Sequence, residues 1–270
     1  MVDSISRGST VNSALQGLQR TSQQENQTSE RLGTRLKVKG PLDREPDFFN
    51  ASGLSARATN LAQIKDQVGQ AISTIHAAAA GLDFINQLSD QARAITITAQ
   101  NNSDPAERAQ LAEQFNQIRG QIDNIASDAN FGGTNLIGSS PDSMEVALSE
   151  DGSLLAVQGT DSSSAGLGIN SRTFGSNTDI QAAIADIESA QSQVRSNSVT
   201  FSSSTSTLQN RIAFTDNLTN TLAQGVANLT QTDLNEEAAS LLSLQTRQAL
   251  GSNALTIATA NEQAVLGLFD

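Results

Sequence analysis

The sequence predicts a mainly α-helical protein: a long antiparallel α-helical coiled-coil rod with a small β-hairpin region, and terminal helices pairing as an inner coiled coil. Three observations carry this. Apolar residues recur in threes and fours over stretches much longer than an ordinary globular helix. Strand-like alternation is confined to the middle of the chain. The order of elements is nearly mirror-symmetric about that middle, so an antiparallel return brings the two ends together.

From Val11 to Leu36 the series Val11, Leu15, Leu18, Ser22, Glu25, Ser29, Leu32, Leu36 places apolar residues on one helical face with a polar middle. Such a helix is marginal alone. Between Lys37 and Pro46 the pattern breaks at Gly40-Pro41 and Glu45-Pro46, because each proline removes a helical donor and restricts the residue before it. This stretch reads as a connector. A second series runs from Leu54 through Leu61, Val68, Ile75 and Leu82 to Ala99. At ~1.5 Å per residue it spans on the order of 70 Å. Asp104-Pro105-Ala106-Glu107 then offers an N-cap acceptor, a proline at the first helical position and a glutamate at the third. The helix behind it is expected to bury Leu111, Phe115, Ile118, Ile122, Ile125 and Ala129.

The paired glycines of Asn130 to Ile137 stop that helix. Glu145 to Ser149 and Ser153 to Gln158 alternate around Asp151-Gly152, which reads as a β-hairpin. Residues 162–168 read as loop. A cap near Asn177 to Asp179 opens a heptad seam through Ile180, Ile184, Ile187, Gln191, Val194, Ser198, Phe201, Thr205, Leu208, Ile212, Thr215, Leu222, Val226 and Leu229. The phase breaks at Thr232, and Asp233 to Glu236 forms another capping box. The terminal helix that follows is amphipathic and long, yet has no apolar partner nearby in sequence. Alone it should stay largely unfolded, so it asks for the far end of this chain or for neighbouring copies. The expected divisions are therefore 1–40, 41–137, 138–177, 178–232 and 233–270.

Charge supports pairing of the ends. Residues 1–39 hold six Lys and Arg against three acids, a net +3, whereas residues 233–270 hold one Arg against five acids, a net −4. Surface ion pairs contribute only ~0–1 kcal/mol each, so most of the pairing energy must come from apolar burial.

Composition narrows the functional classes. The 270 residues include no Cys, Trp or Tyr, and one His. Disulfides and thiolate chemistry are thereby excluded. A net charge of −12 offers no basic stripe for nucleic acid. No run of about 18 apolar residues is present, so membrane insertion is not expected. Met1 to Arg7 carries an acid and lacks an apolar core and cleavage site, so if the protein leaves the cell it is expected to do so without a cleaved signal peptide. His76 has no Cys or second His to share a metal and reads as an interhelical or surface residue. Gly132-Gly133 lacks the lysine of a phosphate loop. Asp233, Glu236 and Glu237 are explained by capping. Ser162 to Ser164 and Ser202 to Ser204 have no triad partners and read as solvated surface. No catalytic, cofactor or metal residues are expected, and the protein is not expected to be an enzyme.

The C-terminal run from Asp233 to Gly251, continuing to Ala264-Val265-Leu266-Gly267-Leu268-Phe269-Asp270, resembles the C-terminus of bacterial flagellins. Leu36-Lys37-Val38, Leu42-Asp43, Phe48-Phe49 and Gly53 to Ala58 resemble that family's stretch joining its innermost helical layer to the next. Asn130 to Leu136 resembles its turn into the β region. Arg35 stands where the family often has glycine, and Arg44 where a second acid often follows the first. The segment Asp90 to Ala94 resembles a region recognised by a vertebrate innate receptor but keeps only Arg93 of an arginine pair, which implies weak activation.

The resemblance implies an extracellular structural subunit that self-assembles into the helical flagellar filament used for motility. It further implies type III export, an export chaperone, and contacts with the flagellar cap and hook-associated proteins. A hook–filament junction protein, or a secreted coiled-coil adhesin or secretion-tip protein, are the alternatives. Residues 1–40 and 233–270 would form the inner layer, with assembly contacts on Leu15, Leu18, Leu32, Leu36, Leu241, Leu242, Leu250, Ile257, Val265, Leu268 and Phe269. The rod core would comprise Leu61, Val68, Ile75, Leu82, Phe115, Ile118, Ile122, Ile187, Val194, Phe201, Leu208, Ile212, Leu222 and Leu229.

Overall fold

Seven-residue steps organise the longest helices. The structure, a computed structural model, describes residues 2–266. Its helices are α1 (Val2–Thr34), α2 (Glu45–Gln100), α3 (Pro105–Asp128), α4 (Asn177–Thr230) and α5 (Leu234–Leu266). Between α3 and α4 lie two antiparallel pairs, β1 (Asn130–Phe131) with β2 (Thr134–Asn135), and β3 (Ser143–Ala147) with β4 (Leu154–Gln158). The chain forms two compact units, one of Met1–Ala56 with Thr221–Asp270, the other of Arg57–Asn220.

In the second unit, α2 buries Leu61, Val68, Ile75 and Leu82, and α4 buries Ile180, Ile187, Val194, Phe201, Leu208 and Thr215. Each set repeats every seven residues, which keeps one seam facing a partner helix. The pairs Lys65–Asp216 at 2.8 Å and Arg93–Glu188 at 3.3 Å fix an antiparallel register. Gln191, a polar seam position, donates to Asp90 Oδ1 at 2.7 Å across the same pair. Phe115, Ile118 and Ile122 of α3 and Val146 and Val157 of the β3–β4 hairpin close the core.

Several boundaries differ from the expectation. α1 begins at Val2 and stops at Thr34, because Arg35 adopts φ 60° and breaks the helical path. α2 begins at Glu45, so Pro46 belongs to a helix and not to the connector; a first-turn proline gives up a donor that had no partner. Asp104 caps α3 by accepting from Ala106 N at 2.8 Å. The reciprocal half of the capping box does not form: Glu107 pairs with Asn102, and Asp104 N donates to Asn102 Oδ1. The cap of α4 is Ser176, one residue before the expected stretch, while Asp179 accepts from the amides of Thr173 and Phe174.

Gly132 and Gly133, both at positive φ, form a two-residue turn that pairs β1 with β2. These strands are too short to show alternation. Asn135 bridges the neighbouring elements: its amide donates to Ala126 O and Ser127 O at the end of α3, and its Oδ1 accepts from Ile137 N and Gly138 N.

Ser162 to Ser164 are buried, against the reading as solvated surface. Asp123 accepts from both the amide and hydroxyl of Ser164, and Asp161 from both those of Ser163, so the hydroxyls lose water without losing partners. Ser202 and Ser203 are exposed. Phe174 is fully buried at φ 54°, its ring 5.4 Å from that of Phe115. Arg172 holds this loop to α4 through Asp186 at 2.6 Å and Asp179 at 3.2 Å, and the hydrogen bond to Asp186 raises its already high pKa.

Of the glycines in α2, Gly81 is the one packed tightly against its surroundings. A Cβ there would lie 2.6 Å from Ile137 Cδ1 and 2.8 Å from Ala129 Cβ, whereas one on Gly69 would meet nothing within 4 Å. Alanine normally stabilises a helix by up to ~1 kcal/mol over glycine. Denaturant unfolding should therefore show Gly69→Ala stabilising by about that amount, and Gly81→Ala destabilising by about 1–3 kcal/mol from overpacking.

Candidate assembly interface

The ends of the chain pair as α1 against α5 in the first unit, so the partner α5 asks for is supplied at least in part by the far end of the same chain. The pairing is close at Gly251, where a Cβ would sit 3.0 Å from Leu18 Cδ2. Yet among the described side chains of α1 and α5 no apolar residue is buried; those that are buried are Thr28 and Glu237. Leu242, Leu250 and Ile257 are 66%, 64% and 63% exposed, and Leu15 is 45% exposed. Leu18, Leu32, Leu36 and Leu241 are half-buried. Leu268 and Phe269 lie outside the described residues, as does the side chain of Val265.

Polar groups occupy the interface where the last turn of α1 meets the first turn of α5. Arg31 Nη1 lies 3.5 Å from Glu237 Oε1, and the carboxylate is mostly buried. Sequence reading assigned Glu237 to capping. Its amide does belong to the first turn of α5, donating to Asp233 O, but its side chain faces Arg31. Asp233 Oδ1 does the capping, accepting from Asn235 N and Glu236 N. Gln24, Gln27, Thr28, Ser240, Ser243 and Arg247 line the groove around the ion pair.

A main-chain joint closes the unit beside the helix pair. Lys37 N and Val38 N donate to Thr230 O, Thr232 N donates to Arg35 O, and Leu36 bridges Gln231. Lys37 Nζ reaches Asn228 O at 2.9 Å, a cation at the C-terminal end of α4. Val38, part of the Leu36-Lys37-Val38 stretch that carries the family resemblance, is buried here. Lys39 pairs with Glu30. Arg44, where an acid would extend the family pattern, pairs with Asp47 at 3.0 Å.

The rod-core residues Leu61, Val68, Ile75, Leu82, Phe115, Ile118, Ile122, Ile187, Val194, Phe201 and Leu208 are buried in the second unit, where Ile212 is half-buried. Leu222, buried, and Leu229, half-buried, fall in the first. Among the described residues no group of three or more His, Cys, Asp or Glu could hold a metal, and no helix is long and apolar enough to cross a membrane. His76 is exposed.

Two expectations follow for the joint. A non-glycine residue in the left-handed region costs roughly 1–2 kcal/mol. Arg35→Gly should thus stabilise the first unit by about 1 kcal/mol, read as slower amide exchange at Lys37 and Thr232. The Asp43 carboxylate accepts from Lys39 N at 2.9 Å and Gly40 N at 3.1 Å, and these bonds hold it below the usual carboxylate range. Its contribution is present above the unfolded pKa, near 4, and is lost as pH falls through the lower folded value. The protection factors of the Lys39 and Gly40 amides, taken against intrinsic exchange at each pH, should fall on acidification below about pH 4 and should not respond to that change in Asp43→Asn.

Residues 5–140 match the family model described as the bacterial flagellin N-terminal helical region. Flagellin FljN of Caulobacter vibrioides is 31% identical, and flagellin FljO of the same organism 29% identical, each over 99% of both chains. The crystal structure of Bacillus cereus flagellin shares the fold at a TM-score of 0.51 and 19% identity, covering 55% of this chain and 88% of that one. The family match spans half the chain and the relatives align from end to end: this protein belongs to the bacterial flagellin family.

Proposed function

We infer that the chain is a structural subunit that self-assembles into the extracellular bacterial flagellar filament, and that it acts by polymerising and not by catalysis. One observation carries the reading: the described parts of α1 and α5 pair with each other without burying a single apolar side chain. Fully burying a leucine contributes about 1.5–3 kcal/mol. Exposed leucines along α5 therefore hold free energy that only other copies can release. Leu15, Leu18, Leu32, Leu36, Leu241, Leu242, Leu250 and Ile257 form the assembly face. The export chaperone and the flagellar cap and hook-associated proteins implied by the family resemblance would engage the chain before and during polymerisation.

Polymerisation orders residues at an entropic cost, so elongation should need a seed. Removing residues 233–270 should abolish elongation in a seeded sedimentation assay; a chain that keeps its oligomeric state without them would be an adhesin of another kind. Leu242→Ser with Leu250→Ser should leave the helix content of the monomer unchanged, since both side chains already face solvent. The critical concentration should rise more than tenfold, taking about 1.4 kcal/mol per tenfold. An unchanged value would remove α5 from the interface.

A further inference from the structure

We propose that the outward face of α4 in the second unit docks the β3–β4 hairpin of a second copy of this chain. The proposal rests on the filament reading above and assigns it a contact outside the terminal helices. The seven-residue repeat that buries Ile187, Val194, Phe201 and Leu208 turns Val199 and Phe214 outward, where they are 69% and 53% exposed. The guanidinium of Arg211 lies 5.0 Å over the Phe214 ring, and its Nε is buried without a hydrogen-bond partner. Arg195 is exposed one turn before Val199. From residue 189 to 215 these two arginines are the only charged residues, and among the described residues no acid pairs with either. The face is therefore apolar, cationic and unneutralised.

The complementary surface is the hairpin. Residues 120–171 contain seven acids and no Lys, Arg or His. Glu150 is already held by Arg57 at 2.7 Å, but Glu145 and Asp151 are exposed, and Leu154 beside them is 54% exposed. Apolar contact of Leu154 with Val199 or Phe214, flanked by carboxylate–guanidinium pairs, gives the hydrophobic centre and charged rim of a protein interface. The hairpin lies against α2 near Gln67 to Thr74. The Lys65–Asp216 pair puts Phe214 at a similar level on the antiparallel helix. Two different patches that fit each other make a heterologous contact, which propagates into an open helical array unless its rotation closes a ring.

Charge exchange tests this. Seeded elongation is compared for the unaltered chain, R195E/R211E, E145K/D151K and the combination of all four, with circular dichroism and melting recorded for each. Because Arg195 is exposed and unpaired, R195E alone serves if R211E disturbs folding. Each reversal alone should raise the critical concentration at least tenfold in low salt with the melt unchanged, and the combination should return it to within about threefold of the unaltered chain. Reversals that leave the critical concentration unchanged overturn the proposal, and so does a loss that the opposing reversal fails to relieve, which would assign the α4 face another occupant such as the acidic α5. If the unaltered chain fails to elongate from seeds, the filament reading falls and this contact with it; elongation that ignores these charges removes this contact alone.

Discussion

The distribution of apolar side chains between the two units constrains everything else. In the second unit the seams of α2 and α4, closed over by α3 and the β3–β4 hairpin, exclude water within the chain: Leu82, Ile85, Ile180, Ile187 and Leu208 have no accessible surface. In the first unit the same helical geometry is populated by Gln, Ser, Thr and Asn, and the buried groups of the α1–α5 pair are Thr28 and the Glu237 carboxylate facing Arg31. An ion pair with one exposed partner contributes little net stability. It does restrict which faces of the two helices can meet, because a mostly buried carboxylate turned away from its cation is costly. The arrangement thus favours orientation over strength, which suits a pair of helices whose remaining faces belong to other molecules.

Much of this was legible in the sequence because helical periodicity is a long-range signal. The seven-residue rows Ile180, Ile187, Val194, Phe201, Leu208 of α4 and Leu61, Val68, Ile75, Leu82 of α2 lie buried, whereas the other row expected in the α4 seam, with Ile184 and Gln191, is half-buried and Ala183 and Ala190 are buried instead; Asp104 and Asp233 marked helix starts through their capping chemistry. What escaped was decided by single residues or by tertiary partners. Arg35 ends α1 in a conformation its residue type does not advertise. The β1–β2 pair is two residues long and leaves no pattern. Ser162 to Ser164 looked solvated because the acids that satisfy them include Asp123, some forty residues away in sequence, which no local window contains. Glu237 carries two roles, an amide in the first turn of α5 and a carboxylate facing α1, and only the first is written in the local sequence.

The assembly surface was the least legible part for a related reason. Leu242, Leu250 and Ile257 fall in an apolar pattern like that of any amphipathic helix, and the pattern alone does not separate a face buried within the chain from one reserved for another copy. Accessible surface in the folded chain makes that distinction, and the low apolar content of α1 is its cause: α1 has too few large side chains to cover the whole of α5.

The joint between residues 35–38 and 230–232 is stitched almost wholly by peptide groups. Such a fastening is indifferent to most side-chain identities, so mutation can wander across Leu36, Gln231 and Thr232 while the chain crossing persists. Only a residue without an amide hydrogen, introduced at 37, 38 or 232, would unpick a stitch. The connector can therefore diversify its outward chemistry while the attachment of the two chain ends stays the same.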